Sequence, residues 1–250
     1  MRTLAAFLPL AIVVALPSLA ETPEEIFARG NSAYEEGRFD EAAEAYRSVL
    51  RYGVRDARVE YNLGCAAFRT GRIGESILHF ERAARLDPGD ADVRANLELA
   101  RSRTFDRVEA PESAAPVRWV RRAQDLLGPD RQAVALLVLL WAVCGWIVRC
   151  SWRPGGWSGA AAWWLAAGLA AGLLVGASWL ATRARIEAPV AVVLEPSVEV
   201  RAGPGEHNAA LFTAHEGLAL SVREERPGWF LVSLPNGLNG WVPAPAVGRV

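Results

Sequence analysis

Two apolar stretches dominate the chain, AVALLVLLWAVCGWIV at residues 133–148 and GAAAWWLAAGLAAGLLVGASWLAT at residues 159–182. Neither contains a charged residue, and eight of the ten Trp residues lie between Trp119 and Trp179. A membrane-spanning helix needs roughly 20 mostly apolar residues, and Trp concentrates at the level of the lipid headgroups. The pattern predicts two transmembrane helices, at residues 132–150 and 159–182.

The hinge between these helices is short, so the polar regions before and after the hairpin must face the same compartment. The N-terminus indicates which one: Arg2 precedes an apolar run over residues 4–16, and Ser18-Leu19-Ala20 offers small residues for cleavage. These features predict a signal peptide over residues 1–20. An uncleaved N-terminal anchor is the alternative, and it would place the domain that follows on the same side of the membrane. We therefore expect both polar regions to lie on the exported side of the membrane.

The distribution of arginine favours the opposite orientation. The hinge contains only Arg149 and Arg153, whereas the flanks of the hairpin are richer in Arg. Positive residues usually mark the cytoplasmic side. The flanking residues are Arg118, Arg121, Arg122, Arg131, Arg183 and Arg185.

An internal repeat with a period of 34 residues precedes the hairpin. The run YEEGRF at residues 34–39 aligns with FRTGRI at residues 68–73, and A-x3-Y at 42–46 aligns with S-x3-F at 76–80. This pattern resembles the tetratricopeptide repeat, a pair of antiparallel helices. The predicted domain spans residues 23–105, with repeats at 23–56 and 57–90 and a capping helix at 91–105.

The resemblance implies a binding groove lined by the first helix of each pair, where these domains hold peptides or partner helices. Phe27 replaces the cation that relatives binding a C-terminal carboxylate carry early in the first repeat. Ordinary packing positions are the alternative interpretation of any one of these side chains. The candidate partner-binding residues are Phe27, Asn31, Tyr34, Tyr61, Asn62 and Arg69.

A linker rich in Ala, Pro and acidic residues leads into the hairpin, and we assign residues 106–131 to this linker and an interfacial helix. Within it, residues 117–127 place apolar side chains on one side and arginines elsewhere, a pattern typical of a helix at the membrane surface. A solvated extension is the alternative. In the second membrane helix, Gly168, Gly172 and Gly176 form a ridge on which the first can pack closely.

The C-terminal region, residues 189–250, contains five short runs rich in Val, Leu and Trp between Gly and Pro turns, which predicts a small all-β barrel. Its motifs VEVRAGP at 198–204, GWFLV at 228–232 and NGLNGWV at 236–242 resemble the bacterial SH3 domain. This family occurs in envelope proteins, often as a cell-wall-binding module. Trp229 and Trp241 are its candidate ligand face, with a core role as the alternative.

No residue pattern predicts catalysis. Glu75 and His79 read as a surface pair on one helix, and His207 and His215 read as part of a solvated loop without metal-ligand spacing. The three Cys residues give no disulfide framework. A net charge of −1 does not favour nucleic acid as a partner. We predict a non-enzymatic protein without a cofactor or a metal.

The chain is thus predicted to be multidomain: an all-α tetratricopeptide repeat domain, a two-helix transmembrane hairpin and a small all-β SH3-like barrel. This order resembles the BatE-like proteins of the Bat aerotolerance operon. The resemblance implies a scaffold of the bacterial inner membrane, with both domains on the periplasmic side, that works with von Willebrand A-domain membrane proteins. We expect the repeat groove to dock such a partner. A peptidoglycan-binding protein that uses the SH3 domain is the alternative, and a cytoplasm-facing scaffold follows if the arginine bias decides the orientation.

Overall fold

A computed structural model describes residues 21–108, 114–152, 154 and 158–250. Within them, five helices precede two long apolar helices and a seven-stranded antiparallel β domain. The fold class predicted from the sequence is confirmed. The predicted signal peptide, residues 1–20, lies outside the described residues, as do parts of the linker and of the hinge.

The first five helices form the repeat domain. Side chains of Thr22, Asp56 and Asp90 accept backbone N–H groups and so begin α1, α3 and α5. Gly37 and Gly71 adopt φ values of 78° and 80° in the turns within each pair, a conformation that favours glycine. The helices are α1 (Pro23–Glu35), α2 (Phe39–Arg51), α3 (Ala57–Arg69), α4 (Ile73–Leu86) and α5 (Ala91–Arg101).

In each helix pair, a glycine of the first helix packs against an aromatic ring of the second helix. A Cβ atom on Gly30 would lie 2.7 Å from the Tyr46 ring, and one on Gly64 would lie 2.7 Å from the Phe80 ring. Tyr46 and Phe80 are both almost fully buried. Only glycine lets the rings fill the space between the helices, as the repeat pattern predicts.

Two apolar helices form the hairpin: α6 (Ala115–Ser151) and α7 (Gly159–Ile186). Residues Leu126–Ser151 and α7 are each long and apolar enough to cross a membrane. Most of their large side chains, such as Trp163 and Leu173, are not covered by protein. Gly128 breaks α6 with a φ of 65°, just before Pro129. The part of α6 before this break contains the predicted interfacial helix.

The glycine ridge on α7 meets α6 over part of its length. A Cβ atom on Gly168 would lie 2.9 Å from a methyl group of Val143, and one on Gly172 would lie 3.9 Å from Leu139. Gly176 has open space beside it. Close packing within the hairpin therefore requires glycine only at Gly168, because the distance at Gly172 is an ordinary van der Waals contact.

A polar network joins α6 to α7 beside the break in α6, and the sequence reading missed it. The Gln132 amide donates to Thr182 Oγ1 at 3.4 Å, and Ser178 Oγ donates to Gln132 Oε1 at 3.2 Å. Gln124 Nε2 donates in turn to Ser178 Oγ at 3.0 Å. Buried amides need such partners, because an unpaired polar group in an apolar environment is costly. The network fixes the register of the two helices.

The β domain is one antiparallel sheet with strand order β3-β2-β6-β5-β4-β1-β7. The five apolar runs correspond to β1, β2, β4, β5 and β6. The structure adds β3 and β7, which the sequence analysis did not predict; β7 is only three residues long. The strands are β1 (Val190–Val193), β2 (Ser197–Arg201), β3 (Ala210–His215), β4 (Ala219–Arg226), β5 (Trp229–Ser233), β6 (Asn239–Pro243) and β7 (Val247–Arg249).

Strand β1 is buried on both of its faces. Ala191 and Val193 belong to the core of the β domain, whereas Val192 packs into the core of the second repeat with Ile77 and Leu78 of α4. These three residues of β1 are fully buried. The repeat domain and the β domain therefore share a hydrophobic core along α4, β1 and β7, a contact that we call the seam.

Polar contacts line the seam. Glu216 Oε1 accepts the Gly74 N–H at 2.7 Å, and Asp106 accepts both the backbone N–H of His215, at 2.7 Å, and its ring, at 2.9 Å. At the other end of α4, Arg82 Nε donates to the Arg249 carbonyl at 3.0 Å. His215 was predicted to belong to a solvated loop; that is wrong, because His215 is the last residue of β3 and packs against Phe105 and Asp106.

The prediction of a surface pair at Glu75 and His79 is also wrong. His79 is buried between α3 and α4, with Nδ1 2.6 Å from Glu60 Oε2 and Nε2 3.9 Å from Glu75 Oε1. Glu75 also pairs with Arg47 of α2 and Arg72. Helical spacing showed that Glu75 and His79 share a face, but it could not show that α3 and α2 cover that face.

We predict that Gly74→Ala weakens the seam. The new Cβ atom would lie 2.6 Å from the Val193 carbonyl oxygen and 2.7 Å from Glu216 Cγ, and a backbone oxygen cannot rotate away. We expect a loss of about 1–3 kcal/mol, as for other overpacked sites, and a lower thermal unfolding midpoint of the detergent-solubilised chain. Gly89→Ala is the control, because its nearest neighbour lies at 3.4 Å. Equal midpoints for the two variants would contradict the close approach at the seam.

Candidate functional site

An open cleft of about 370 Å³ lies between the two repeats. Helices α1 and α3 provide most of its wall, and α2 contributes Tyr46. Four of the six predicted partner-binding residues meet here: Asn31, Tyr34, Tyr61 and Asn62. Glu35, Tyr46 and Cys65 complete the lining.

Asn31 organises the floor of this cleft. Its Oδ1 accepts the Tyr46 hydroxyl at 2.9 Å and the Asn62 Nδ2 at 3.1 Å, so that one side chain joins α1, α2 and α3. Farther along, Asn96 of α5 donates to the Tyr61 hydroxyl at 2.9 Å. These bonds hold the amides and phenols in fixed orientations, which reduces the entropy lost on binding.

The two remaining predicted residues have different surroundings. Phe27 packs on the Tyr46 ring, with ring centroids 5.7 Å apart, and belongs with the core of the first repeat. The Arg69 guanidinium lies over the Phe39 ring, 4.5 Å from its centroid, and the Tyr34 ring packs edge-on against Phe39 with centroids 5.2 Å apart. Arg69 thus supplies a positive charge close to Tyr34, whereas Phe27 packs against the ring of Tyr46, a lining residue of the cleft.

Burial keeps the groups in the floor neutral. Desolvation raises the pKa of Tyr46 to about 12 and raises the pKa of Tyr61 further. Desolvation also raises the pKa of the Cys65 thiol. Glu35 supplies the one acidic side chain of the lining. The other polar groups of the lining are hydroxyl, thiol and amide groups that are uncharged at neutral pH. Such groups are suited to hydrogen bonding with the backbone of an extended or helical peptide.

Sequence reasoning missed Tyr46 and Cys65 as lining residues. Tyr46 occupies the aromatic position of the repeat pattern, which predicts packing, and its hydroxyl reaches the cleft only because Asn31 accepts it. Cys65 is only partly buried and lines the cleft. The i+3 and i+4 spacing of Tyr61, Asn62 and Cys65 on α3 is the signal that could have placed it there.

The two tryptophans of the predicted ligand face of the β domain differ in their exposure to solvent. Trp241 is 7% exposed, and the Arg226 guanidinium covers its ring at 4.8 Å from the centroid. Trp229, paired with Pro243 across β5 and β6, is partly exposed. In this arrangement Trp241 forms part of the wall of the domain, and Trp229 is the more accessible of the two rings. The described residues contain no group of three metal-binding side chains.

Comparison with known families agrees with the geometry of both domains. Residues 27–91 match the tetratricopeptide repeat family model, and residues 195–248 match the bacterial SH3 domain model. A comparison with curated proteins found no match. Tetratricopeptide repeats and bacterial SH3 domains are typically non-catalytic modules for protein interaction and cell-wall binding. The chain thus combines two such modules with a pair of apolar helices compatible with membrane spans.

The raised pKa of Tyr46 predicts how stability changes with pH. Tyrosine in an unfolded chain ionises near pH 10, whereas Tyr46 in the folded protein stays protonated until about pH 12. The folded state therefore binds more protons in this range, and its stability falls as the pH rises from about 10 to about 12. Thermal unfolding of Tyr46→Phe should show a shallower fall than the parent protein. The matched control is Tyr52→Phe at an exposed position; identical slopes for all three proteins would contradict the prediction.

Proposed function

We propose that this protein is a non-enzymatic, membrane-anchored scaffold of the bacterial envelope that docks protein partners through its repeat groove and its SH3 domain. The hairpin anchors the chain, and the groove supplies the principal docking site. The resemblance to BatE-like proteins supports a place in a Bat-type aerotolerance complex. Its partners there would be membrane proteins with von Willebrand A domains.

The observation that carries this proposal is the separation of the groove from the seam. The β domain docks on α4, whereas the cleft is lined by α1, α3 and Tyr46 of α2. Docking within the chain therefore leaves the groove open for another protein. The preorganised Asn31, Tyr46 and Asn62 network at its floor favours a partner that brings backbone amides.

We place both domains on the periplasmic side. The signal-like N-terminal sequence supports this side, and the seam supports a common side for both domains, because α4 and β1 share a core. Reporter fusions after Arg107 and after Val250 test the placement. Periplasmic activity at both positions is expected, and cytoplasmic activity at both would replace the proposal with a cytoplasm-facing scaffold.

Cell-wall binding by the β domain is the second candidate function. The match to the bacterial SH3 model favours it, because these domains often bind peptidoglycan. The accessible ring of Trp229, rather than the covered ring of Trp241, would then contact the glycan or its peptide. Under this alternative the repeats act as a spacer.

Site-specific photocrosslinking in cells distinguishes the two functions. A photoreactive residue replacing Asn62 in the groove should capture a von Willebrand A-domain membrane protein, whereas one replacing the exposed Glu44 of α2 should not. Asn62→Ala should lower copurification of that partner about tenfold, since truncating a central contact commonly costs more than 1 kcal/mol.

The control for this experiment is sedimentation of the full-length protein with purified wall sacculi. A scaffold remains in the supernatant. Retention that is lost in Trp229→Ala, together with equal crosslinking from positions 62 and 44, would contradict docking through the groove and support cell-wall binding.

A further inference from the structure

A second cleft, of about 460 Å³, opens where the end of α4 meets the end of β7. Arginine dominates its lining, with Arg55 from the segment before α3, Arg82 and Arg85 from α4, and Arg249 from β7. Glu60, Leu86 and Val250 complete the wall. We call this feature the arginine cleft. It lies outside the repeat groove and shares no lining residue with it.

The charges in the arginine cleft are not balanced within the described part of the chain. The lining places four arginines against one acidic side chain, Glu60, which is hydrogen-bonded to His79, and Arg249 pairs with Glu225. Arg82 donates to a backbone carbonyl, which carries no net charge. Among the described residues, no carboxylate forms an ion pair with Arg55. The cleft therefore has an excess of positive charge.

Arg85 shows how strongly the site is organised. Its guanidinium donates to an oxygen of Val250 at 3.0 Å and to the carbonyl of Ala188, so it is held on two sides. Burial lowers the pKa of this guanidinium, with only a smaller opposing effect from the charge of Glu81. An anion entering the cleft would supply a further opposite charge, and a buried charge is stabilised by a paired one.

The position of the cleft points to the source of the anion. Arg85 contacts Ala188, two residues after the end of α7 at Ile186, so the cleft lies beside the point where the chain leaves the hairpin. Leu86 on its rim is exposed. A neighbouring cleft, with Arg94 in its wall, continues onto the hairpin beside Thr182. In a bilayer these groups come to the level of the lipid headgroups.

We propose that the arginine cleft binds the phosphate of an anionic phospholipid headgroup. Guanidinium groups match phosphate oxygens with paired, charge-assisted hydrogen bonds. Arg82 and Arg85 would donate hydrogen bonds to the phosphate. Arg55, which is exposed and makes no ion pair in the described structure, would then move to donate to it as well. The exposed Leu86 would lie beside the upper part of the acyl chains. The inference requires the hairpin to lie in a bilayer and is independent of the partner in the repeat groove.

Native mass spectrometry of the full-length chain in detergent tests this assignment. With phosphatidylglycerol and phosphatidylcholine added in equal amounts, we expect the protein to retain one phosphatidylglycerol in preference. Arg55→Gln should lower that retention about fivefold, the effect of one arginine near an anionic surface, and Arg55→Lys should restore most of it. Arg58→Gln is the matched control, since Arg58 is exposed and pairs with Asp56 outside the cleft.

Arg55 makes no bond that holds the seam, so its variants should fold, and an unchanged thermal midpoint confirms this. Equal retention of both lipids, or equal losses in Arg55→Gln and Arg58→Gln, would overturn the site. In the last arm of the experiment, inorganic phosphate is added at millimolar concentration and its binding to the protein is measured. Binding of phosphate with no preference between the lipids would assign the cleft to a soluble anion and overturn the lipid assignment.

Discussion

The two-sided burial of β1 is the constraint on which the rest of the structure depends. Val192 lies in the repeat core, while its neighbours Ala191 and Val193 lie in the core of the β domain. Burying one valine side chain contributes about 1.5–3 kcal/mol, and here that contribution is available only when both domains are present and docked. Two repeats and one capping helix are few for an independent array. The β domain covers the second repeat and thereby completes it.

The docking of the β domain on the repeats constrains where the two ends of the apolar hairpin lie. The chain leaves the repeats, passes through α6 and α7, and returns to the same α4 that it had already formed, so both ends of the hairpin must lie on one side. The polar network around Gln132 then fixes α6 against α7 at the end nearest the soluble domains.

The features that follow from local sequence could be predicted. The capping box at Thr22, the glycine–aromatic pairs within the repeats and the two uncharged stretches depend on neighbours close in the chain. The run Val190–Val193 is continuously apolar, as expected for a strand buried on both faces, but nothing in it identifies α4 as the cover. His79, His215 and Trp241 were misjudged or left open for the same reason: their surroundings come from distant segments. In the groove, the pattern located Asn31 and Asn62 but not the bond that joins them.

The most direct test of a shared core is cross-linking across the seam in native membranes. Leu78 of α4 contacts Gly248 of β7 closely enough that cysteines at these two positions would be neighbours. In a chain whose Cys65, Cys144 and Cys150 have been replaced, Leu78→Cys with Gly248→Cys should form an intramolecular disulfide when the membranes are oxidised. If each cysteine alone reacts with a monofunctional maleimide while the pair gives no intramolecular product, the two domains are not docked and the account is wrong.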